Sequence, residues 1–556
     1  VQAGVNATSS SINGQRSSSA NYTRDGINVQ DNFIRTGGFV QDRPTVDDTG
    51  EFAVITQNAG ASFGGGGSTQ VLLVTPRGGR EFHGAAFAYN RNSKFAANTF
   101  GNNASNTLKP FLNRNQFGGK VSGPMWIPGF GEGTPAFHKD KGFFFVSYER
   151  FLLRQTAPLT RRVLLAPYRD GTFTYRDTGG TLRTVNVLTG AGLTGPIPAA
   201  QGGALTVDPT IQARFLALTP TAGNGVFQNI STAGPLTQSL IFNQDDNDTR
   251  NGLAMRFDVD LNDRNNVYFV YKYNDNKDDR QTDGGGFNKV PFGTQGGPTD
   301  FYLMNYTATI GSNFTNEIRG AFNRSKPFFN QADSFPTNFL IGALPLGLST
   351  PEPSFQKQGR DTAQYTFQDN ASYTLGDHSL RFGLDFNAQR IASQTNFNAV
   401  PIYNISTTAN TLTPRLTATL FPGGIGATDR NQADALRYLL GGIVGSGTVA
   451  ANFTGPGTGA VIGAPSLQKF QYETIGLYFA DQWRATSELT LNLGLRWDYF
   501  TPLRNKDQVY LEPDLQGAET IEEIRSVLTN PVGNYVLLGA NAGKPGAFFK
   551  PDRNNF

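Results

Sequence analysis

The chain has 556 residues, and its composition excludes several classes of protein. There is no cysteine, so disulfides, thiol nucleophiles and cysteine zinc sites are excluded, and the three histidines lie too far apart in sequence to form a local metal motif. The formal net charge is only +3, without the concentrated basic stripe that nucleic-acid binding requires. We expect no catalysis, no bound metal or cofactor, and no nucleic-acid partner.

The apolar residues are diluted by polar ones in a regular way. Aromatic residues make up 12% of the chain, yet the mean hydropathy is −0.35. From residue 489 to 499 the odd positions are leucine, tryptophan or tyrosine, and the even positions are threonine, asparagine, glycine, arginine or aspartate. Successive side chains of a strand point to opposite faces, so this pattern predicts a strand with one face in lipid and one in a wet lumen. The stretch is longer than the roughly five or six residues of a typical strand and reaches the about 9–11 residues that cross a membrane.

The same alternation recurs as hairpins with polar turns. These are predicted from residues 253–261 with 267–273, 306–314 with 318–322, 365–375 with 380–388, and 475–479 with 489–499. The turn of the second hairpin is predicted at Thr315-Asn316-Glu317. Long segments rich in glycine, asparagine and proline separate the hairpins, at about 276–300, 325–360 and 392–468.

Short turns at one end and long loops at the other are typical of outer-membrane β-barrels, whose long loops face outward from the cell. The alternative is a large soluble β-sandwich or β-solenoid adhesin. The polar residues of the alternating strands and the strand lengths favour the barrel.

The first eighty residues lack this long alternation. Short apolar stretches, such as Phe52–Asn58 and Val71–Thr75, are separated by turn signals, which predicts a small mixed α/β unit. The glycine run at 64–67 is not followed by the Gly-Lys-Ser/Thr of a phosphate-binding loop, so we interpret it as a surface loop.

Several strings then resemble a known family. NGQRSSSANYTRDGINVQDNF, followed by EFAVITQNAGASFGGGGSTQVLLVTPRGGREFHGAAFAYNRN, resembles the plug and first barrel strand of TonB-dependent receptors of the Oar-like group. KDKGFFFVSYERF, RYLLGG and YFADQWRATSELTLNLGLRWDYFTP resemble barrel segments of the same group. The resemblance runs from about residue 11 to the end of the chain; Thr75–Gly79 reads TPRGG where the group usually has Thr-Lys/Arg-Ser-Gly.

The resemblance implies a transmembrane antiparallel β-barrel with a small α/β plug domain at its N-terminus. The expected domains are a plug over residues 1–80 and an incomplete barrel, part of roughly 22 strands, over 81–556. We expect a fragment that lacks an N-terminal region, including the TonB box, and the last barrel strands. The implied function is active transport of a bulky solute such as an iron chelate, glycan or peptide across the outer membrane, with outer-membrane lipid and the TonB–ExbB–ExbD complex as partners. The alternatives are an Oar-like surface protein that supports adhesion or protein secretion, and a passive porin-type channel.

Charge in the two domains suggests how a plug is held. Arginine pairs with carboxylates in a directed, bidentate way, and the predicted inward faces of the barrel strands carry aspartates. The candidate plug–barrel contacts are Arg16, Arg24, Asp25, Arg35, Asp258 and Asp385.

A predicted loop at 122–140 supplies the candidate ligand contacts. Its aromatic residues Trp126, Phe130 and Phe137 lie among proline and glycine. Aromatic side chains stack on sugars, peptides or chelates at a low cost in conformational entropy. The alternative interpretation is that these residues pack the loop or belong to an aromatic girdle.

Overall fold

The computed structural model describes residues 20–34, 42–64, 69–104, 108–128, 137–220, 228–232, 235–280, 286–331, 338–353, 355–407, 414–456, 458–515, 517–518, 520–528 and 535–551. In chain order the strands are β1 (Asn21–Arg24), β2 (Ile27–Asn28), β3 (Glu51–Ile55), β4 (Gln70–Val74), β5 (His83–Asn92), β6 (Leu112–Pro128), β7 (Phe137–Leu164), β8 (Thr172–Arg176), β9 (Leu182–Asn186), β10 (Gln228–Thr232), β11 (Thr237–Asp245), β12 (Asp248–Asn262), β13 (Asn265–Arg280), β14 (Gly293–Gly296), β15 (Thr299–Ile310), β16 (Phe314–Ser325), β17 (Phe328–Gln331), β18 (Leu340–Ile341), β19 (Gln358–Leu375), β20 (His378–Thr395), β21 (Ile402–Ile405), β22 (Val444–Thr448), β23 (Ala451–Phe453), β24 (Ala460–Ile462), β25 (Ser466–Arg484), β26 (Thr490–Phe500), β27 (Arg504–Asn505), β28 (Leu511–Pro513) and β29 (Tyr535–Leu537). The helices are α1 (Phe100–Ala104), α2 (Pro209–Ile211), α3 (Ala427–Leu440) and α4 (Ile521–Leu528).

Sixteen of the described strands form one large antiparallel sheet, which we call the wall. Its hairpins follow one another along the chain, so that β12 pairs with β13, β15 with β16, β19 with β20, and β25 with β26. Among the described residues four strands of the wall pair with a single neighbour: β5 with β6, β10 with β11, and β26 and β27 with β25. The long antiparallel strands predicted from alternation are confirmed.

The two faces of the wall differ in chemistry. The inner face is the one that contacts residues 20–82, which we call the N-terminal unit; it carries polar and charged side chains such as Lys272 and Arg319. The outer face keeps large apolar side chains exposed, including Met304 and Leu477. A sheet with an exposed apolar face is unsuited to water and suited to lipid.

The short turns all lie at one end of the wall. The turn between β19 and β20 is at Gly376-Asp377, as predicted. The turn predicted at Thr315-Asn316-Glu317 is wrong, because these residues lie inside β16 and pair with β15. The chain reverses instead at Gly311-Ser312-Asn313, where Gly311 has a φ of 69°, a left-handed conformation that glycine adopts without a steric penalty.

The opposite end of the wall carries a folded body rather than separate loops. Three parts of the chain share one hydrophobic core with Leu236, and we call them the loop body: residues 164–220, residues 338–348, and residues 405–407 with 414–443. Helix α3 lies within it, with Leu436, Tyr438 and Leu439 almost fully buried. These segments overlap two regions interpreted from sequence as long loops, so that interpretation missed their packing.

A buried arginine stabilises the loop body. Arg437 of α3 is 1% exposed and donates to the carbonyl oxygens of Val187 at 2.7 Å and Gly203 at 2.5 Å. A buried carbonyl group without a hydrogen-bond partner is costly. Arg437 therefore stabilises the loop body by donating hydrogen bonds to carbonyl groups of a segment distant in sequence. Within the described residues no helix is long and apolar enough to cross a membrane.

The N-terminal unit is a small sheet of order β2-β1-β4-β3, in which β1 and β4 run parallel. Its described residues, 20–34, 42–64 and 69–82, contain strands and turns but no helix, so the helical part of the predicted α/β unit has no counterpart there. The predicted boundary at residue 80 lies in the connection between β4 and β5.

Candidate functional site

A buried cluster of four charges joins the N-terminal unit to the wall. Arg24 of β1 places its Nε atom 2.6 Å from Asp42 and donates to the main-chain oxygen of Asp48 at 2.9 Å. Lys272, on the inner face of β13, lies 2.9 Å from a carboxylate oxygen of Asp48 and also pairs with Asp42. None of the four side chains is more than 2% exposed.

The cluster has two positive and two negative groups, so its formal charge is zero. Burial alone would raise the pKa of Asp42, but the adjacent Arg24 and Lys272 hold that pKa at about 2. The Asp42 carboxylate is therefore ionised at neutral pH. The sequence predicts that Arg24 pairs with an aspartate of the wall. In the structure Arg24 pairs with two aspartates of its own unit, and the wall contributes a lysine.

A second set of contacts surrounds Asp25. Its carboxylate accepts hydrogen bonds from the main-chain N–H and the hydroxyl of Thr75, at 2.9 and 2.6 Å. Arg256 of β12 donates to the Thr75 carbonyl oxygen at 3.0 Å and pairs with Asp258 at 3.0 Å. Arg77 reaches Asp258 as well, with its Nε atom 3.3 Å from the carboxylate. A unit arginine and a wall aspartate thus do meet, through Arg77.

Asp385 lies on the inner face but pairs within the wall. Its partner is Arg496 of β26, which also binds Asp498 at 2.7 Å. The N-terminal unit approaches this group through Gly64, where an added Cβ atom would lie 2.2 Å from the Arg496 guanidinium. Arg16 and Arg35 lie outside the described residues.

Polar groups predominate over the rest of the interface. Gln364 donates to the carbonyl oxygen of Asn28 at 3.1 Å, and the Tyr472 hydroxyl donates to that of Asn32 at 3.1 Å. Wall side chains thus hydrogen-bond to the main chain of the unit, and such contacts do not depend on the identity of the unit's side chains.

One apolar patch complements these contacts. Ile27 and Val29 are fully buried against Val270, Phe301 and Leu303 of the wall. The patch is small beside the loop body core, so ionic and hydrogen-bonded contacts carry most of the specificity of the interface.

A cavity of about 610 Å³ lies between the N-terminal unit and the wall. The unit contributes Asp25, Gly26 and Gly64 to its lining, and the wall contributes charged groups of both signs, including Arg319 and Arg496. A cavity with this polar lining holds water readily. It lies in the half of the wall nearer the short turns, since Arg381 in its lining is close to the start of β20.

The candidate loop aromatics do not form a long-loop site. Trp126 lies within β6, and residue 142 of β7 pairs with Val259 near the end of β12. The last residue of β6, Pro128, and the first residue of β7, Phe137, are therefore at the short-turn end of the wall. The prediction of a loop over 122–140 is therefore wrong for residues 122–128 and 137–140, which are strand. Trp126 is 65% exposed; Phe130 lies outside the described residues, as does the side chain of Phe137.

Among the described residues no three histidine, aspartate or glutamate side chains converge to hold a metal ion.

A sequence profile of the family described as "Outer membrane beta barrel domain" matches residues 74–556, from the last residue of β4 onward. The chain belongs to this family. The wall is therefore the barrel wall of an outer-membrane protein, its outer face is the lipid-facing surface, and its short turns are at the periplasmic end. No curated protein sequence matches the chain.

Solved structures with a similar fold include three outer-membrane proteins. The outer membrane transporter YddB from Escherichia coli is 10% identical with a TM-score of 0.46, over 89% of this chain and 50% of YddB. The siderophore receptor PirA from Acinetobacter baumannii is 10% identical with a TM-score of 0.43, over 90% and 52%. The ferripyoverdine receptor of Pseudomonas aeruginosa is 12% identical with a TM-score of 0.42, over 90% and 48%. The chain spans about half the length of these structures.

Proposed function

We propose that this barrel belongs to a TonB-dependent transporter of the Oar-like group, and that the N-terminal unit is the plug that gates it. The observation that carries the proposal is the buried, charge-neutral cluster of Arg24, Asp42, Asp48 and Lys272, which joins the unit to the inner face of the wall. The strings around residues 13–33 and 51–92 that resemble the group's plug and first strand support it independently.

The chemistry of the interface suits a domain that is held firmly and yet moves. A large apolar interface would resemble a domain core and would stay closed. Here charged pairs and hydrogen bonds to main-chain groups predominate, and water replaces such contacts at lower cost than it solvates apolar surface. A mechanical pull from the TonB–ExbB–ExbD complex would exchange these contacts for hydrated ones.

The cavity beside the plug is the proposed route of the solute. Movement of β1 away from the wall would enlarge the roughly 610 Å³ space next to Arg319 and Arg496. Its walls carry both signs of charge, which suits a polar, bulky solute such as an iron chelate, a glycan or a peptide. No step of this route requires catalysis.

A specific observation also favours the surface-protein alternative. The loop body presents a surface backed by its own hydrophobic core at the extracellular end of the barrel, and such a surface suits adhesion or support of protein secretion.

Two measurements on the intact protein test the transporter proposal. In planar bilayers we expect no steady ion current from the native protein and a large current after deletion of residues 20–82. In cells, we expect restoration of the gene to rescue growth of its deletion strain on a panel of iron and carbon sources, but only when TonB is present. A native protein that conducts steadily would indicate a passive channel, and rescue without TonB would contradict energised transport.

A further inference from the structure

Four aromatic side chains form a continuous row on the lipid-facing side of the wall. They lie on β13, β15, β16 and β19, and successive ring centroids are 4.9, 6.2 and 5.1 Å apart: Tyr271, Tyr302, Phe322 and Tyr365. The strand from Tyr302 to the short turn at Gly311 has the length that crosses a hydrocarbon layer, about 9–11 residues. The row therefore marks the extracellular boundary of the hydrocarbon, and side chains beyond it lie at the depth of the lipid headgroups.

Two arginines beyond this row are neutralised within the wall. Arg324 of β16 donates to both carboxylate oxygens of Asp361 on β19, at 2.9 and 2.5 Å. The Nη1 atom of Arg390 on β20 lies 2.8 Å from a carboxylate oxygen of Glu473 on β25. Each guanidinium is thus held by a carboxylate on the neighbouring strand, so neither needs a counter-ion from the lipid.

Strand β7 carries two arginines that have no such partner. Glu149 faces inward, because it accepts a hydrogen bond from the main chain of Val46 in the N-terminal unit. By alternation Tyr148, Arg150 and Arg154 therefore face the lipid, and all three side chains are exposed. Among the described residues neither of the two guanidiniums forms an ion pair. We call Arg150 and Arg154 the arginine patch.

The depth of the arginine patch follows from the pairing of the strands. Residue 253 of β12 pairs with Tyr148 on one side and with residue 273 of β13 on the other, which is two residues from Tyr271 of the aromatic row. Tyr148 is thus close to the level of the row, and Arg150 and Arg154 lie beyond it, towards the loop body. Residues four apart in a strand are separated by about 13 Å, so the patch matches two separate anionic groups.

The surroundings leave an excess of positive charge at the arginine patch. The polar side chains that flank it on β6 and β12 are uncharged: Asn113, Asn115, Thr249 and Asn251. Two carboxylates on adjoining strands are each accompanied by a lysine, since Lys289 lies 3.9 Å from Asp245 and Lys277 is two residues from Asp275 on the same face. The carboxylate of Asp279, two strands away, accepts two hydrogen bonds within the wall.

We propose that the arginine patch binds the two phosphate groups of a diphosphorylated glycolipid in the outer leaflet of the outer membrane. A guanidinium group matches phosphate with two parallel hydrogen bonds, and two guanidiniums at headgroup depth complement two phosphates in charge. The acyl chains lie on the apolar surface below the patch, where Phe117, Val121 and Tyr148 are 40%, 44% and 43% exposed. This inference does not depend on the proposed transport function.

Native mass spectrometry of the intact, delipidated protein in detergent, titrated with diphosphoryl lipid A, tests the proposal. The double variant Arg150→Gln with Arg154→Gln should bind this lipid about thirtyfold more weakly, at about fivefold for each basic group near an anionic lipid surface. Monophosphoryl lipid A should bind the native protein about fivefold more weakly than diphosphoryl lipid A, because one arginine then has no phosphate. The matched control, Arg264→Gln with Arg484→Gln, removes two exposed arginines at the periplasmic end and should leave binding unchanged.

Folding of each variant is checked by its heat-dependent mobility in detergent gels, and these exposed substitutions should not impair it. Equal binding by the two double variants would overturn the proposal, since the arginine patch would then not determine the affinity. Equal binding of lipid A with and without phosphate groups would overturn it as well, because lipid tails alone would then occupy the surface. Displacement of the lipid by millimolar inorganic phosphate would also overturn it, since the site would then bind free phosphate rather than a lipid.

Discussion

Replacing Lys272 with methionine tests the buried cluster most directly. Methionine keeps the length of the side chain and removes its charge, so Arg24 is left facing Asp42 and Asp48 with a net charge of −1. All four side chains are at most 2% exposed, so the cost is that of an uncompensated buried charge, about 3–5 kcal/mol, rather than that of a surface pair. At about 1.4 kcal/mol per tenfold change, the unseated state should become about a hundred to a few thousand times more populated.

Hydrogen exchange of the β1 and β4 backbone amides in the intact protein measures this change. We expect exchange in these strands to accelerate by the same factor in Lys272→Met. The double variant Lys272→Met with Asp48→Asn restores a neutral cluster and should recover most of the protection. Lys277→Met, on the same strand but exposed, is the matched control and should leave exchange unchanged.

Two results would refute the reasoning. If Lys272→Met exchanges like the native protein, the cluster does not hold the unit. If the double variant is as unprotected as the single one, the loss comes from the missing lysine stem rather than from unbalanced charge.

Three further predictions follow from the same structure. The pKa of Asp42 is depressed to about 2, below its unfolded-state value of about 4. The contribution of Asp42 to the free energy that holds the N-terminal unit against the wall should therefore be constant above about pH 4 and lost as the pH falls towards 2. A pH series of hydrogen exchange checks this. Gly26→Ala should destabilise the contact of the N-terminal unit with the wall by about 1–2 kcal/mol, because Gly26 has a φ of 81° and faces a guanidinium. Gly60→Ala is the control: an added Cβ atom would have nothing within 4 Å, so hydrogen exchange should be unchanged. Trp126→Ala should leave growth on every transported solute unchanged, because Trp126 is at the periplasmic end; a selective growth defect would contradict this placement.

The sequence predicted most of the wall and little of the site, for a physical reason. Alternation is a local property of a strand, so the local sequence on either side of Gly376-Asp377 is enough to predict that hairpin. The turn predicted at Thr315-Asn316-Glu317 was misplaced because polar residues mark both turns and inward faces, while the left-handed conformation of Gly311 is not visible in composition.

The site depends on pairing across large separations in sequence. Lys272 lies on the polar face of the predicted strand at 267–273, so the alternation indicates that its side chain faces inward. The sequence of that strand does not indicate which residues the lysine contacts. Its partners Asp42 and Asp48 lie about 230 residues away. The loop body was missed likewise, because its core unites segments that are each too short and irregular to reveal a buried face.

The shared core of the loop body has an evolutionary consequence. Loops that emerge separately from a barrel change length and sequence independently, which lets a cell escape phages and antibodies one loop at a time. Here three segments share one interior: 164–220, 338–348, and 405–407 with 414–443. Arg437 joins the helix of the last to the main chain of the first. An insertion in any of them must be accommodated by the other two. Variation among natural variants should therefore concentrate in a thin solvent-facing layer, while the three segments keep matched lengths.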